Sequence, residues 1–159
     1  MFIPLWLLLA PAGAAGWGGD LSPAHDFGIG PYFAYGYGSC HGGAAGLDVS
    51  YTWSVLSAAA ELRYLHHGGD DLAGPAAGLC VYLLVNVCFE AGYLWGSERG
   101  PVYDLFFGVP FGDDLLPDSL LPFRSGYLEP YYRLNYLDIG GGLTLHEFGL
   151  LVKITTWTI

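Results

Sequence analysis

The chain has 159 residues, of which 53% are hydrophobic, 16% aromatic and 13% charged, and its formal net charge is −10. This composition excludes intrinsic disorder, since disordered chains are rich in charge and poor in aromatic residues. Five Lys and Arg against fifteen Asp and Glu cannot form a basic patch, so we expect no nucleic-acid partner.

Residues 1–15 are a candidate signal peptide. The run from Phe2 to Ala15 is uncharged and apolar, and it ends in small residues that include Ala12-Gly13-Ala14, a small-x-small cleavage pattern. We expect cleavage after Ala14 or Ala15. The run is shorter than the roughly 20 residues that a membrane-spanning helix needs. No basic residue precedes it, which departs from the usual signal peptide, and a buried N-terminal helix is the alternative.

The rest of the chain alternates apolar and polar residues with a period of two, which indicates strands with one face of each kind. In the clearest run, from Leu47 to Val55, every even position is Asp, Ser or Thr. The segment from Leu72 to Phe89 is also compatible with a helix by length, but the period of two elsewhere favours strands. In chain order the pattern predicts eight strands, at residues 27–38, 47–55, 57–64, 77–84, 87–96, 102–109, 128–135 and 147–154.

Two features indicate which face of these strands points inward. The polar faces carry mainly Gly, Ala, Ser and Thr with a few charges, which suits the narrow lumen of an eight-stranded barrel. Aromatic residues gather near strand ends, where a membrane barrel has its interfacial girdles: Tyr35, Tyr37, Trp53, Tyr93, Trp95 and Tyr136. The sequence therefore predicts an all-β, eight-stranded antiparallel up-and-down transmembrane β-barrel over residues 16–159. A soluble secreted β-barrel that binds a ligand with its apolar face is the alternative.

On this pattern, the chain resembles the small eight-stranded outer-membrane barrels of Gram-negative bacteria, the class of outer-membrane proteins A and X. The resemblance implies a place in the cell outer membrane, outer-membrane lipid as a partner, and loops that contact envelope or extracellular partners. Such barrels usually end with a strand whose alternate apolar residues run to a terminal aromatic. Here Trp157 and Ile159 are out of phase with Phe148 to Ile154, so either a bulge shifts the phase or the ending is atypical.

Turn-forming residues separate the predicted strands. Segments rich in Gly, Pro, Asp and His predict longer loops at residues 39–45, 66–76, 97–101 and 137–142, which alternate with tight connections near Val55–Leu56 and Leu84. If both termini are periplasmic, the longer loops are extracellular. The segment from Pro110 to Phe123 is the exception, because it predicts a long connection on the side where short turns are expected.

Charged residues on the predicted inner faces form a candidate network in the lumen. They are Asp48, Glu61, Arg63, Glu90, Glu129, Arg133, Glu147 and Lys153. An excess of acids over bases would favour cations, so a narrow cation-preferring pore is one functional alternative, although eight strands enclose little more than side chains. Because facing residues of neighbouring strands share a face, a connection centred on Val55–Leu56 pairs Asp48 with Arg63.

Weak candidate metal ligands lie in two predicted loops that would share one rim: His41, His66, His67, Asp70 and Asp71, with Cys40 beside them. Imidazole and carboxylate bind zinc or copper, but no fixed ligand spacing is present. We therefore expect solvated loops, with no metal and no other cofactor.

His146 prompts a comparison with outer-membrane lipid A deacylases, which carry a serine two residues from a histidine on one strand face. Here that position is Phe148, so the nucleophile is missing and we expect no enzyme activity.

Cys80 and Cys88 share a phase on neighbouring predicted strands. If residues 83–85 form the turn, the two cysteines lie directly opposite each other, and export to an oxidising compartment would allow a disulfide. Two small inward thiols are the alternative.

These observations together favour an outer-membrane barrel with a structural or surface-interaction role, whose lumen is filled by small and charged side chains. The narrow pore and the soluble ligand-binding barrel remain the alternatives.

Overall fold

The computed structural model describes residues 25–39, 41–82, 85–111 and 123–157. They form eight strands: β1 (His25–Gly38), β2 (Gly42–Trp53), β3 (Leu56–His67), β4 (Asp70–Tyr82), β5 (Asn86–Gly96), β6 (Arg99–Gly108), β7 (Phe123–Leu137) and β8 (Leu143–Trp157). The candidate signal peptide, Cys40, most of the predicted 110–123 connection and Ile159 lie outside the described residues. Within the described ranges, no helix is long and apolar enough to cross a membrane.

Every strand pairs antiparallel with its neighbour in the sequence, and β1 also pairs with β8, so the sheet closes on itself. The structure thus confirms the predicted all-β, eight-stranded antiparallel up-and-down barrel. Closure matters energetically, because an open sheet would leave a row of unpaired backbone N–H and C=O groups at each edge.

The barrel buries most of its charged residues, while many of its large apolar side chains are exposed. Along β3, burial alternates without interruption, and the buried positions include Glu61 and Arg63 while Leu62 between them is 63% exposed. On β1 and β4 the inner face carries mainly small or apolar residues, but large apolar residues again point outward: Phe33 is 65% and Leu79 is 73% exposed. A barrel in water would turn these apolar faces into its core, whereas a barrel in lipid exposes them.

Three of the predicted loops, at residues 39–45, 66–76 and 97–101, are shorter in the structure, where β2 begins at Gly42, β4 at Asp70 and β6 at Arg99. The expected loop at residues 66–76 is a turn at Gly68 and Gly69, and Asp70 to Ala76 belong to β4, where they pair with β3. The two glycines have φ values of 60° and 96°, which lets the hairpin reverse in two residues. The expected loop at residues 39–45 likewise ends where β2 begins, at Gly42.

The predicted register between β2 and β3 is wrong by two residues. Asp48 lies opposite Glu61, and Arg63 lies opposite Gly46, so Asp48 and Arg63 share a face but are not a facing pair. The cause is the turn, which is formed by Ser54 and Val55 with Ser54 at a φ of 57°. The connection expected from the sequence, at Val55–Leu56, lies one residue further along the chain.

β8 keeps a single register with β1 over its whole length, from Leu145 opposite Gly38 to Trp157 opposite Asp26. The register shift lies in β7 instead, between Phe123 and Ser125. The pairing of β8 with β1 therefore contains no bulge that would explain why Trp157 is out of phase with Phe148 to Ile154.

Candidate functional site: the barrel lumen

The lumen is filled in layers, and the layer at one end is aliphatic. We call the end opposite His25 and Trp157 the distal end; it carries the β1–β2, β3–β4, β5–β6 and β7–β8 turns. The aliphatic layer lies just inside it and consists of Ala44, Leu65, Leu72, Leu94, Val102, Leu137, Ile139 and Leu145. Each of them is at most 5% exposed, so this layer covers the polar interior on the distal side.

A charged layer lies next, centred on the guanidinium of Arg63. Its Nη1 donates to Asn135 Oδ1 at 2.7 Å, and its Nη2 donates to Asp104 Oδ2 at 2.9 Å. Nη2 also contacts the carboxylates of Glu61 and Glu90. Arg63 is 1% exposed, and a buried cation of this kind is tolerated only when carboxylates surround it.

Arg133 is the second cation of the charged layer. Its Nη2 donates to Glu61 Oε2 at 3.0 Å and lies 3.5 Å from Glu90 Oε2. The guanidinium carbon is 5.0 Å from the centre of the Tyr32 ring and 5.3 Å from that of Tyr131, within cation–π range. The aromatic rings thus add an attraction for the buried cation beside that of the carboxylates.

A smaller polar group lies toward the proximal end. Lys153 Nζ is 2.7 Å from Asp48 Oδ1 and donates to the Tyr82 hydroxyl at 3.3 Å. Asn86 Nδ2 donates to Glu129 Oε1 at 2.6 Å. The space left between these groups and the charged layer is about 10 Å³, room for no more than about one water molecule.

The structure places every residue of the predicted lumen network at a buried position. It divides them between the charged layer, which takes Glu61, Arg63, Glu90, Arg133 and Glu147, and the proximal group, which takes Asp48, Glu129 and Lys153. No ion pair between Asp48 and Arg63 forms, because Asp48 is taken by Lys153.

Asp104, a central member of the charged layer, is not among the lumen residues that the sequence predicts. Asp104 is 3% exposed and contacts both arginines. It was missed because both faces of β6 are largely apolar, with Val102 and Phe106 on the inner face beside it, so alternation could not assign the strand. The available signal was the charge itself, since a carboxylate in an apolar strand of a membrane barrel belongs in the lumen.

Cys80 lies directly opposite Cys88, and the two are joined in a disulfide. Both sulfurs point into the lumen, where the residues are 2% and 5% exposed. Of the two alternatives that the sequence left open, the structure has the bonded form.

The candidate metal ligands do not come together. His66 Nδ1 is 2.7 Å from Asp71 Oδ1, but His41 contacts the Tyr35 hydroxyl instead, and His67 is buried. Within the described ranges, two other groups have potential ligand atoms close enough together to hold a metal ion. They are Glu61–Glu90–Asp104 and Cys80–Cys88–Glu90. Two arginines already occupy the first group, and the sulfurs of the second are bonded to each other.

His146 lies on the outer face near the distal end. Its Nδ1 is 2.7 Å from the Tyr132 hydroxyl, and its ring stacks on Tyr37 with centroids 5.3 Å apart. Phe148 stacks on Tyr37 as well, so the histidine belongs to an aromatic cluster of the kind found at membrane interfaces.

The fold and lumen define a class: a closed eight-stranded barrel with an apolar exterior and a polar, side-chain-filled interior. Among solved structures, the chain is similar to the crystal structure of Neisserial surface protein A, with 13% sequence identity and a TM-score of 0.56 over 82% of this chain and 96% of that chain. No family model matches the chain, and no curated protein matches it. At this identity the likeness is one of fold, and it confirms the resemblance to small eight-stranded outer-membrane barrels at that level.

Proposed function

We propose that the chain is an outer-membrane β-barrel protein, exported by residues 1–15, with a structural or surface-interaction role and a filled lumen. The observation that carries the proposal is the inverted burial. Charged residues such as Glu147 and Arg63 are 0% and 1% exposed, while Leu79 and Phe33 are 73% and 65% exposed. A lipid surrounding favours this arrangement, because in water the exposed apolar area would be hydrated, whereas in lipid charged side chains would be far less favourable on the outside than in the lumen.

The packed lumen supports a role other than that of a wide channel. The aliphatic layer covers the distal end, and the cavity inside is about 10 Å³. An ion on this path would have to displace packed leucine side chains and break the salt bridges of the charged layer. Binding partners would then meet the distal turns and the outer face.

The acidic excess favours one second candidate, a narrow cation-preferring pore. Among its fully buried side chains, the described lumen holds six carboxylates against three Lys and Arg: Asp48, Glu61, Glu90, Asp104, Glu129 and Glu147 against Arg63, Arg133 and Lys153. Planar-bilayer recording separates the two candidates. A filled barrel should show no steady conductance, whereas steady cation-selective current would establish the pore.

A pair of variants tests the membrane location. Leu62, in the middle of β3, is 63% exposed, and Leu62→Lys should cost about 2–4 kcal/mol of unfolding free energy if this position faces lipid. His66→Lys, on the same face but at the distal rim, is the matched control and should cost much less. Equal, small effects of both variants, together with a protein that stays in solution without detergent and shows no heat-modifiable migration on gels, would support the soluble barrel.

A further inference from the structure

The disulfide between Cys80 and Cys88 lies beside a buried carboxylate, that of Glu90. Cys88 and Glu90 are two residues apart on β5, so their side chains share the inner face of one strand. Cys80 lies directly opposite Cys88 on β4. Both sulfurs and a carboxylate oxygen of Glu90 lie within 4.8 Å of one another, which is close enough for all three to contact one ion.

The three residues also share a cavity. All of them line the space of about 10 Å³ inside the barrel, which has room for about one water molecule. The site is near the proximal end, because Cys80 and Cys88 lie two residues from the ends of their strands at Tyr82 and Asn86. An ion held by these three side chains would therefore have an adjoining water position.

Glu90 is held less tightly than the other carboxylates around the two arginines. Its Oε2 lies 3.5 Å from Nη2 of both Arg63 and Arg133, and it has no hydrogen-bond partner among the described residues. In contrast, Asp104 and Glu61 each accept a hydrogen bond from one of these guanidiniums, at 2.9 and 3.0 Å. Binding of an ion through Glu90 Oε2 therefore breaks no hydrogen bond.

The charge of the surroundings favours a divalent ion at this place. When ionised, the four carboxylates of the charged layer outnumber its two guanidiniums. They are Glu61, Glu90, Asp104 and Glu147 against Arg63 and Arg133. Two thiolates formed beside this excess of negative charge would be repelled by it, and a divalent metal ion neutralises them.

We infer that reduction of the Cys80–Cys88 bond converts these three residues into a zinc site, with two thiolates and the Glu90 carboxylate as ligands and water in the fourth position. Zinc takes four tetrahedral ligands and accepts sulfur and oxygen together, whereas calcium and magnesium require oxygen ligands. Zinc–sulfur bonds of about 2.3 Å place two sulfurs about 3.8 Å apart. Facing residues, whose Cβ atoms are about 4.5–5.5 Å apart, allow this separation once the S–S bond is broken.

The interconversion is a two-electron exchange. A dithiol reductant supplies two electrons and two protons, which convert the disulfide into two thiols, and the reductant itself becomes a disulfide. Zinc binding then releases the two thiol protons to solvent. In the reverse direction a disulfide oxidant takes two electrons from the thiolates, the S–S bond forms and zinc leaves. The site goes beyond the proposed function and does not depend on the medium around the barrel, because all three residues are buried.

The test uses the barrel with Cys40→Ser, which removes the third cysteine of the chain. The protein is unfolded in urea with a phosphine reductant, which does not compete for metal as a dithiol does, and refolded in dodecyl maltoside with cobalt(II). Cobalt occupies zinc sites, and its absorption reports thiolate ligands and tetrahedral geometry. We expect one cobalt ion per reduced barrel, with thiolate-to-cobalt charge-transfer absorption that disappears when zinc is added. The oxidised barrel should show no such absorption.

Three variants separate ligation from charge. Glu90→Gln should weaken cobalt binding roughly a hundredfold, because one of the three protein ligands is lost. Glu129→Gln is the matched control. It removes the same charge from the wall of the same cavity, but Glu129 is not in the group whose atoms lie within 4.8 Å, so it should bind nearly as the parent does. Cys88→Ser should abolish tight binding.

Heat-modifiable migration on gels reports folding in every sample. A reduced, folded barrel without thiolate-to-cobalt absorption would overturn the inference, and so would Cys88→Ser or Glu90→Gln binding cobalt as tightly as the reduced parent. Equal weakening by Glu90→Gln and Glu129→Gln would overturn it too, because charge alone would then explain the effect. A reduced chain that folds neither with nor without the metal has no such site, and this result also refutes the inference.

Discussion

Removing the guanidinium of Arg63 should lower the free energy of unfolding by about 3–5 kcal/mol, the range for breaking a buried ion pair from one side. In Arg63→Ala, Asp104 Oδ2 and Asn135 Oδ1 lose the guanidinium donors that lie 2.9 and 2.7 Å from them in the parent protein. Glu61 keeps its contact with Arg133 Nη2 at 3.0 Å, so its charge remains compensated. Asp104 Oδ1 also keeps a longer contact with Arg133 Nε at 3.6 Å, so the cost comes mainly from the two lost hydrogen bonds, to Asp104 Oδ2 and Asn135 Oδ1.

Asp104 provides the second half of a double-mutant cycle. Asp104→Ala alone leaves Arg63 with Glu61 and Glu90, and the double variant removes one charge of each sign. We expect the double variant to cost less than the sum of the single variants by about 1–3 kcal/mol, the coupling typical of residues in direct contact. Arg63→Ala combined with Asp48→Ala should show a smaller coupling, because Asp48 pairs with Lys153.

The measurement is reversible urea unfolding of the barrel in lipid vesicles, followed by tryptophan fluorescence. Arg99→Ala is the control, since Arg99 is an exposed arginine on the distal rim, and it should change the free energy of unfolding by less than about 0.5 kcal/mol. Strict additivity of Arg63→Ala and Asp104→Ala would refute the contact between them, and so would a coupling of equal size in the cycle with Asp48.

Three further predictions follow from local features. Replacing Cys80 and Cys88 by Ser should lower the free energy of unfolding by about 2–3 kcal/mol, because an eight-residue separation closes a short loop. The chain has three cysteines, so alkylation should label neither Cys80 nor Cys88 before reduction and both after it; labelling of these two positions without reduction would contradict the bond. Leu94→Ala, in the aliphatic layer, should cost about 2–5 kcal/mol in the same urea titration, and an effect below 1 kcal/mol would mean that the layer is not packed. Ser54→Gly should stabilise the barrel by about 1 kcal/mol, because Ser54 has a φ of 57° that glycine adopts without strain; destabilisation would indicate a different β2–β3 turn.

The number of strands and the direction of their faces could be predicted from the sequence alone. Both depend on the period of two, which is local: each residue on a strand points outward or into the lumen according to its parity, so a run such as Leu47 to Val55 carries the assignment within itself. The same parity placed Glu61 and Arg63 on the inner face and Leu62 on the outer face, where the structure has them.

Strand ends, register and ion-pair partners required the tertiary structure. Asp70 to Ala76 has the composition of a loop, yet it is strand because β3 and β5 on either side satisfy its backbone. Arg63 on β3 meets Asp104 on β6 and Asn135 on β7, at sequence separations of 41 and 72. Parity fixes which face a side chain occupies but not its height in the barrel. Closure of the sheet sets that height, and contacts across the lumen then determine which carboxylate each base can reach.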